Sequence, residues 1–356
     1  MATARAGGKG ATIYSVADLA GVSIATVSRV LQGSTVVAEG TRAKVLAAVE
    51  DLDYVPLGAA RSLAVRRHEA HGLVLPELSG PYYSELLMGF ESRAAELGQS
   101  VTVLLGRGKR DLTRAVGRLA TRVDGMAFLG STALTVGVNR LHHGRGPVVI
   151  IAGPSEDGIE AISAENIESA QSLTKHLLHH GRSQLLFVGD PDTAPDIAER
   201  YEGFKRAHRG RKGTRAAQPV LLGLREADGT RFADRLLAGD HEADALVCAN
   251  DEVALAIMSR LQDEGRRIPE EIAVVGWDDV MTARYMRPAL TTVRQPVHEL
   301  GALAASRLHE LCNGAESRLE RTILPTEVVL RASCGCTPVT TPGGTRPPTD
   351  QGVTRT

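Results

Sequence analysis

The feature that most constrains the fold is an alternation, from His71 onward, of strand-length apolar runs with stretches of helical period. The apolar runs are residues 72–75, 101–105, 126–129, 148–151, 184–188, 220–222, 245–248 and 273–275. The stretches with helical spacing are residues 83–97, 112–122, 168–180, 198–208, 232–237 and 253–264. Such alternation predicts parallel doubly wound sheets, and two sets of it predict two lobes. Ligands of such sheets bind at the carboxyl ends of the strands, so we expect a ligand cleft between the lobes.

Composition and charge indicate a globular chain with a basic head. The 356 residues exceed the usual length of one domain, with 43% hydrophobic and 23% charged residues and a net charge of -1. This balance excludes a protein whose whole surface coats nucleic acid. Residues 1–67, however, hold eight Lys or Arg against five acids, a local charge of +3 that leaves -4 for the rest. The head is therefore expected to meet a polyanion.

Membrane spans, leaders and metal sites are not expected. No apolar run approaches the roughly 20 residues of a membrane span, and residues 1–10 lack the apolar core of a signal peptide, so a cytoplasmic protein is expected. The four cysteines, Cys248, Cys312, Cys334 and Cys336, are too sparse for a disulfide scaffold. Cys334-Gly-Cys336 could begin a metal site, but no second ligand pair lies at finger-like spacing. We therefore expect neither metal nor cofactor.

The basic head begins with the pattern of two short helices joined by a glycine turn. Ser15 has an acid, Asp18, three residues later, as in a capping box. Gly21 favours a left-handed turn, and Ser23 can cap a second helix that runs to about Leu31.

A third helix, roughly residues 41–52, would close the core of the head. The inward-facing residues are predicted to be Val16, Ala17, Leu19 and Ala20, then Val27, Val30 and Leu31, then Val45, Leu46 and Val49. Ala25 and Arg29 are four residues apart and share the outward face of the second helix. This arrangement predicts a helix-turn-helix.

At these residues the chain closely resembles regulators of the lactose-repressor family. In the head the resemblance lies in residues 12–23 and 25–31, in Thr41-Arg42-x-Lys44-Val45, and in Tyr54-x-Pro56 followed by residues 59–63. The body is similar to the family's effector domain at residues 200–204, 249–251, 275–279 and 290–296. The resemblance covers roughly residues 12 to 335. It implies an α + α/β fold class: an N-terminal helix-turn-helix head with a hinge helix, then a two-lobed periplasmic-binding-protein-like (type I) α/β effector domain.

The resemblance also implies the domain bounds. They are a disordered N-terminus at 1–11, the helix-turn-helix domain at 12–55, the hinge helix and linker at 56–68, and the effector-binding and dimerisation domain at 70–336. Lobe 1 is expected at about 70–160 and 291–321 and lobe 2 at about 161–289 and 323–336, with crossings near 160, 290 and 322. The Thr-, Pro- and Gly-rich tail, 337–356, is expected to be disordered. It lacks the leucine heptads of tetrameric members, so a homodimer is expected.

By the resemblance, the second helix reads bases in the major groove of double-stranded DNA. Arg29 is the candidate for a bidentate contact to guanine, whereas Thr26 and Ser28 suit phosphates or are simply helix surface. In the hinge, Leu63 occupies the position of an apolar wedge for the minor groove, or else it is a buried linker leucine. The full DNA-binding set implied is Ser15, Ser23, Ile24, Ala25, Thr26, Ser28, Arg29, Ala59, Arg61, Ser62 and Leu63.

Arg200 and Asp278 occupy the family's two main effector-binding positions. A guanidinium fork that donates and a carboxylate that accepts suit a polyol. Tyr82 and Tyr83 could stack on a ring or pack in the core, and Asn250 could contact the ligand or cap a helix. The full effector-binding set implied is Tyr82, Tyr83, Ser131, Arg200, Asn250, Asp278 and Gln295.

Several positions depart from the family pattern. Glu77 and Gly80 replace the usual aspartate and asparagine after the first strand, Ala152-Gly153 replaces an aspartate after the fourth, and Glu165-Asn166 replaces Asp-Asn. One side of the cleft thereby lacks typical hydroxyl acceptors. This favours a larger glycoside or a different effector over a monosaccharide.

The expected function is a sequence-specific transcriptional repressor of carbohydrate-utilisation genes, released from a palindromic operator by a sugar or glycoside. A corepressor-dependent regulator of the same family is the alternative, and a sugar-binding transport protein is disfavoured by the basic head. An enzyme is not expected, because the chain has no phosphate loop, nucleophile elbow or His-Glu-x-x-His motif. His142-His143 and His179-His180 are interpreted as solvated helix ends.

Overall fold

The computed structural model describes residues 11–31, 36–54, 67–106, 110–138, 146–155, 158–211, 216–318 and 320–336. The chain divides into two compact units, residues 1–69 and residues 70–356. The predicted hinge residues Ala59, Arg61, Ser62 and Leu63, the first ten residues and the tail 337–356 lie outside the described residues.

The first unit contains three helices, α1 (Ile13–Ala20), α2 (Ile24–Leu31) and α3 (Glu39–Asp51). Gly21 ends α1 in the left-handed region at φ 65°, as a residue without Cβ does most readily. Across this turn α1 and α2 are bent by 102°, the geometry of a helix-turn-helix. The core consists of Val16, Ala17, Ala20, Val27, Val30, Val45, Ala48 and Tyr54. The predicted helix-turn-helix is confirmed.

Three details of the head differ from the sequence prediction. Thr12, not Ser15, is the N-cap of α1, and Ser15 completes the capping box as the third helical residue. Leu19 and Leu46 are exposed by 55% and 49%, because each lies off the narrow buried stripe of its helix. Ala48 takes the inward position that was assigned to Leu46.

The first sheet of the second unit defines lobe 1. Its six parallel strands are ordered β10-β5-β4-β3-β1-β2. They are β1 (Ala70–Leu75), β2 (Ser100–Leu105), β3 (Gly125–Leu129), β4 (Val148–Ile151), β5 (Glu160–Ala164) and β10 (Thr322–Leu324). The helices of this lobe are α4 (Pro81–Glu96), α5 (Leu112–Leu119), α6 (Gly130–Val136) and α12 (Val297–Cys312).

Lobe 2 is built on the parallel sheet β6-β7-β8 and a second, two-stranded antiparallel sheet β9-β11. The strands are β6 (Leu185–Val188), β7 (Ala245–Cys248), β8 (Ala273–Val275), β9 (Thr292–Arg294) and β11 (Glu327–Val329). The helices are α7 (Ile167–His179), α8 (Pro195–His208), α9 (Glu226–Leu237), α10 (Asp251–Asp263) and α11 (Met281–Tyr285), with a 3-10 turn at Ala332–Cys334. Isolated bridges from Val188 to Val220 and from Val275 to Thr291 extend the parallel sheet on both sides.

Strand pairing moves each lobe crossing a few residues toward the C-terminus of the predicted position. Strand β5 pairs with β4, so the first crossing follows Ala164 rather than residue 160. Strand β9 pairs with β11, so the second follows Arg294 rather than residue 290. Strand β10 pairs with β5, so the third follows Leu324 rather than residue 322. The resemblance places each crossing only approximately along the chain, whereas strand pairing determines the residue at which each strand ends.

Within the described residues, no single helix is long and apolar enough to cross a membrane. The one pair of helices that passes such a test together is α1 with α2, which is bent by 102°.

Candidate functional site

The outward face of α2 is the first candidate site. Ile24, Ala25 and Arg29 are exposed, as expected of residues that read bases. Thr26 and Ser28 are half-buried at the edge of this face. A short helix that presents two small apolar side chains and a guanidinium can enter the major groove and contact thymine methyls and guanine.

The hydroxyl residues of the head serve local structure. Ser23 Oγ accepts from the backbone N–H of Thr26 at 3.2 Å, so Ser23 caps the start of α2 as predicted. Thr26 Oγ1 lies 2.9 Å from Ser23 Oγ. Ser15 is half-buried, and its hydroxyl donates to the Thr12 carbonyl at 2.7 Å. Through this hydrogen bond Ser15 stabilises the start of α1.

The second candidate site is a cavity of about 390 Å³ between the two lobes of the second unit. Its walls come from both lobes, at residues that follow the carboxyl ends of β1, β3, β4, β6, β7 and β8. The sequence-predicted residues in the wall are Tyr82, Tyr83, Ser131, Arg200, Asn250 and Asp278. Its volume is typical of small-molecule sites, which span roughly 300–1,000 Å³. The fold therefore brings six of the seven predicted effector-binding residues into the wall of one cavity.

Arg200 is buried and held by three partners. Its Nε donates to Asn166 Oδ1 at 2.9 Å, its Nη1 to the Ala249 carbonyl at 2.6 Å, and its Nη2 to Asp196 Oδ2 at 3.1 Å. Its guanidinium also lies 4.6 Å from the ring centre of Trp277. A guanidinium has further N–H groups on both Nη atoms, so a fixed fork can still donate to a ligand in the cavity.

Asp278 is the acidic counterpart of Arg200 in the cavity wall. Burial raises the pKa of Asp278 to about 7, although the charge of Arg200 and a hydrogen bond from Gln295 favour the carboxylate. Gln295 Nε2 donates to Asp278 Oδ1 at 2.6 Å. Gln295 is itself buried and lines an adjoining cavity with Asp278 rather than the main one. The structure thus makes Gln295 a residue that positions Asp278.

The tyrosines and Asn250 have mixed roles. The rings of Tyr82 and Tyr83 meet edge to face with centres 5.5 Å apart, and both are half-buried in the cavity wall. Burial raises the pKa of Tyr82, which keeps the phenol neutral. Asn250 caps α10, because its Oδ1 accepts from the Val253 N–H at 3.1 Å, and its Nδ2 donates to the Leu224 carbonyl at 2.9 Å.

Sequence reasoning missed several charged residues of the cavity. Glu77 from lobe 1 forms a salt bridge with Arg225 from lobe 2 at the cavity wall. Asp196 supports Arg200 from one turn away on α8. Glu252 also lines the cavity. Spacing could have indicated Asp196, four residues before Arg200, whereas Arg225 gave no signal beyond following the apolar run 220–222.

The family departures have structural roles as well. Glu165 turns away from the cavity: its carboxylate accepts from the backbone N–H groups of Glu168 and Ser169 at 2.6 and 2.9 Å. Asn166 positions Arg200 and also donates to Glu199 at 3.0 Å. Ala152 lines the cavity with a positive φ of 55°. Among the described residues, Glu77 is the only carboxylate that lobe 1 contributes to the cavity wall, and the other polar side chains there are the hydroxyls of Ser79, Tyr82, Tyr83 and Ser131.

The family models match both units. Residues 12–56 match the bacterial regulatory proteins of the lacI family, and residues 174–334 match a periplasmic binding protein-like domain. Among curated proteins, the HTH-type transcriptional repressor PurR of Vibrio atlanticus is 34% identical over 84% of this chain and 91% of its own length. PurR of Vibrio vulnificus is 33% identical over 90% of this chain and 98% of its own length.

Solved structures agree. A lac repressor dimer bound to operator and the anti-inducer ONPF has a TM-score of 0.79 at 27% identity, covering 92% of this chain and 99% of the other. A complex of the transcriptional regulator CelR with cellobiose has a TM-score of 0.67 at 28% identity, covering 91% and 99%. The chain belongs to the lacI family of bacterial regulatory proteins. It is a DNA-binding transcriptional repressor with a helix-turn-helix head and a type I periplasmic-binding-protein-like effector domain.

Proposed function

We propose that this repressor binds a palindromic operator as a homodimer and that a sugar or glycoside in the interlobe cavity releases it, so that carbohydrate-utilisation genes are expressed. Two copies of the head related by two-fold symmetry require two symmetric half-sites. The exposed Ile24, Ala25 and Arg29 supply the base contacts. Because DNA is the partner, we expect the protein to act in the cytoplasm.

The hinge contributes through residues outside the described part of the chain. Leu63 is proposed as the minor-groove wedge, with Ala59, Arg61 and Ser62 beside it. A wedge that unstacks a base step bends the DNA and lets both hinges contact it at once. An effector that moves the lobes and separates the hinges would prevent this joint insertion.

The observation that carries the effector proposal is the position of Arg200 and Asp278 in one cavity wall. The fixed fork of Arg200 suits two neighbouring hydroxyls, and a carboxylate at Asp278 accepts from another. Tyr82 and Tyr83 offer faces for a sugar ring. Two family relatives support a carbohydrate: CelR is in complex with cellobiose, and a regulator from Enterococcus faecium, 25% identical, has bound ribose.

The alternative is an effector that increases operator affinity instead of decreasing it. The sign depends on which lobe arrangement matches the DNA-bound dimer, and the cavity suits either. Coupling between effector and operator is reciprocal and typically amounts to about 1–3 kcal/mol. An inducer and the operator therefore weaken each other by the same factor, and a corepressor and the operator strengthen each other.

The test begins with selection of the full chain on random DNA duplexes at a fixed salt concentration. An enriched palindrome supports the proposal and provides the operator. Operator affinity is then measured with sugars, with glycosides and, because the tyrosines can stack on any flat ring, with purine bases. Release by a sugar or glycoside supports the proposed function, tighter binding indicates a corepressor, and a response to purines alone would refute the carbohydrate effector. The Arg200→Ala variant is the control and should keep operator binding but lose the effector response.

A further inference from the structure

A cluster of His176, Cys334 and Cys336 lies in lobe 2, with His180 beside Cys336, away from the residues of the effector cavity. His176 is in the last turn of α7, and His180 follows the helix as its C-cap. Residues four apart on a helix lie on the same face. Cys334 and Cys336 come from the last described segment, about 160 residues later, and pack beside these two imidazoles.

The ligand atoms of His176, Cys334 and Cys336 lie as close together as three ligands of a tetrahedral zinc site. His176 Nε2 lies 3.3 Å from Cys334 Sγ and 3.4 Å from Cys336 Sγ. His180 Nε2 lies 3.6 Å from Cys336 Sγ. With Zn–S bonds of about 2.3 Å and Zn–N bonds of about 2.0–2.1 Å, tetrahedral angles place sulfur and nitrogen ligands about 3.5 Å apart. All three distances are close to this value. His176, Cys334 and Cys336 can therefore hold a zinc ion with little side-chain movement, and rotation of the exposed His180 side chain would supply the fourth ligand.

The chemistry of the cluster also suits zinc. Two thiolates and two imidazoles form one of the ligand sets of structural zinc sites. Cys334 is fully buried, whereas His180 is exposed, so a metal ion can enter from the solvent side. Thr291 Oγ1 lies 3.1 Å from Cys334 Sγ and can donate to the thiolate, as groups around metal ligands commonly do.

We propose that His176, His180, Cys334 and Cys336 bind one Zn²⁺ ion, which fastens the end of the effector domain to α7. The short Cys334-Gly-Cys336 spacing did not predict this site, because the second ligand pair is distant in sequence and only the fold supplies it. His179 and His180 are exposed at the end of α7, as interpreted from the sequence, and the proposal adds a ligand role for His180. Gly335 between the cysteines has φ of 103°, a conformation that disfavours residues with a Cβ, and it lies beside the His180 ring.

The experiment uses the full chain, prepared with reductant, stripped of metal with a chelator, and shown to contain four free thiols. Titration with Co²⁺ should give the intense visible absorption of a tetrahedral ion and a near-ultraviolet thiolate-to-cobalt band at one ion per chain. Zn²⁺ should displace the Co²⁺ and raise the Tm. Because exposed His180 and half-buried Cys336 contribute little to the core, His180→Gln and Cys336→Ser should fold. Each should lose at least about tenfold in Zn²⁺ affinity, because loss of even an outer-shell partner of a metal ligand costs about 10- to 100-fold.

Matched controls separate this site from adventitious binding. His179→Gln changes an exposed neighbour of His180, and Cys312→Ser changes a thiol on α12 in the other lobe. Both should bind Co²⁺ and Zn²⁺ as the wild type does. Absence of the thiolate-to-cobalt band, or unchanged Zn²⁺ affinity in the His180→Gln/Cys336→Ser double variant, would overturn the proposal. Operator binding is measured in parallel, so failure of the zinc site remains distinct from failure of the repressor function.

Discussion

Glu77 and Arg225 form a salt bridge between opposite lobes at the wall of the effector cavity. Glu77 follows β1 of lobe 1, and Arg225 stands immediately before α9 of lobe 2. Their side chains are 20% and 40% exposed, so solvent screens the pair and its contribution is within about 1 kcal/mol. The pair is thus suited to bias the two lobes toward one arrangement without locking them.

Removing this pair should weaken effector binding more than it weakens the fold. If the effector binds the arrangement in which the lobes are bridged, loss of about 1 kcal/mol makes Arg225→Ala bind it up to about fivefold more weakly. Calorimetric titration measures the affinity, and urea unfolding should change little. The matched control is Arg231→Ala, because Arg231 pairs with Asp228 on α9 and does not line the cavity. Equal losses in both variants would show that the bridge has no special effect.

Asp278 should make the stability of the effector domain depend on pH. Its pKa is raised to about 7 by burial in the native state, whereas an unfolded aspartate has a pKa of about 3.9. Between these values the native state holds the proton that the unfolded state has lost. The free energy of unfolding therefore falls as pH rises from about 4 to 7, by up to about 1.4 kcal/mol per pH unit.

Urea unfolding of the wild type and of Asp278→Asn at matched pH values tests this expectation. The neighbouring charges are Arg200, Asp196 and Glu252. Burial and the charge of Asp278 also raise the pKa of Asp251. The difference in the free energy of unfolding between the wild type and Asp278→Asn should still fall with rising pH at the predicted slope. If the free energy of unfolding has the same pH dependence in both proteins, Asp278 does not have the raised native pKa. Effector affinity should rise through pH 7 in the wild type, since the carboxylate is the better acceptor, and should be flat in the variant.

The buried ion pair of Glu160 and Arg307 should matter greatly for stability. Arg307 Nε donates to Glu160 Oε2 at 2.9 Å, and the side chains are only 6% and 3% exposed. Glu160→Gln removes the buried partner charge of Arg307 and leaves only the half-exposed Glu310, which costs up to about 3–5 kcal/mol. The control is Glu310→Gln: Glu310 is the second acid on Arg307 but is half exposed, so its loss should cost less than about 1 kcal/mol. Similar losses in the two unfolding curves would argue against a buried pair.

The stability that the Glu160–Arg307 pair contributes should depend on pH with the opposite sign to the contribution of Asp278. Burial raises the pKa of Glu160, but hydrogen bonds from Arg307 and the Arg318 N–H and the charge of Arg307 outweigh it, and the pKa is lowered. A lowered native pKa means that the stabilisation is present above the unfolded pKa of about 4.3 and is lost as pH falls below it. Wild type and Glu160→Gln should therefore approach each other in stability as the medium becomes more acidic.

Periodicity predicted most of the fold, and it failed where local pattern and tertiary pairing disagree. The six helical stretches of the body and seven of the eight apolar runs correspond to helices and strands, the exception being residues 220–222, where only Val220 forms a bridge. Strand β5 was not predicted, because Glu160 and Ser163 interrupt its apolar pattern, and both are buried by specific partners. When only the sequence is read, polar residues whose hydrogen-bonding groups find partners inside the fold resemble loop residues.

The effector cavity was predictable because its residues follow strand ends, whose meeting point is a property of parallel sheets. Within that cavity, Arg200 and Asp278 were singled out by the resemblance to the lactose-repressor family. Contacts between lobes were not, since nothing local to Arg225 indicates that Glu77 lies opposite it. The histidine–cysteine cluster was not predicted for the same reason. Helix α7 and residues 332–336 are distant in sequence and come together only in the fold.

Arg29 should determine base specificity rather than general DNA affinity. It is exposed in the last turn of α2, and a bidentate contact to guanine contributes about 1–3 kcal/mol of discrimination, or roughly 5- to 150-fold. Arg29→Ala should lose this factor on the selected operator and show relaxed preference at one base pair of each half-site. Fluorescence anisotropy with operator and single-substitution duplexes measures both.

Lys44→Ala is the control for charge, because Lys44 is an exposed cation of α3 in the same unit. A lysine that meets phosphate weakens binding to all duplexes alike and lowers the slope of affinity against salt by about one ion. Arg29→Ala should instead alter the ranking of duplexes. If both variants weaken every duplex by the same factor, Arg29 contacts the backbone, and recognition must come from Ile24, Ala25 and the hinge.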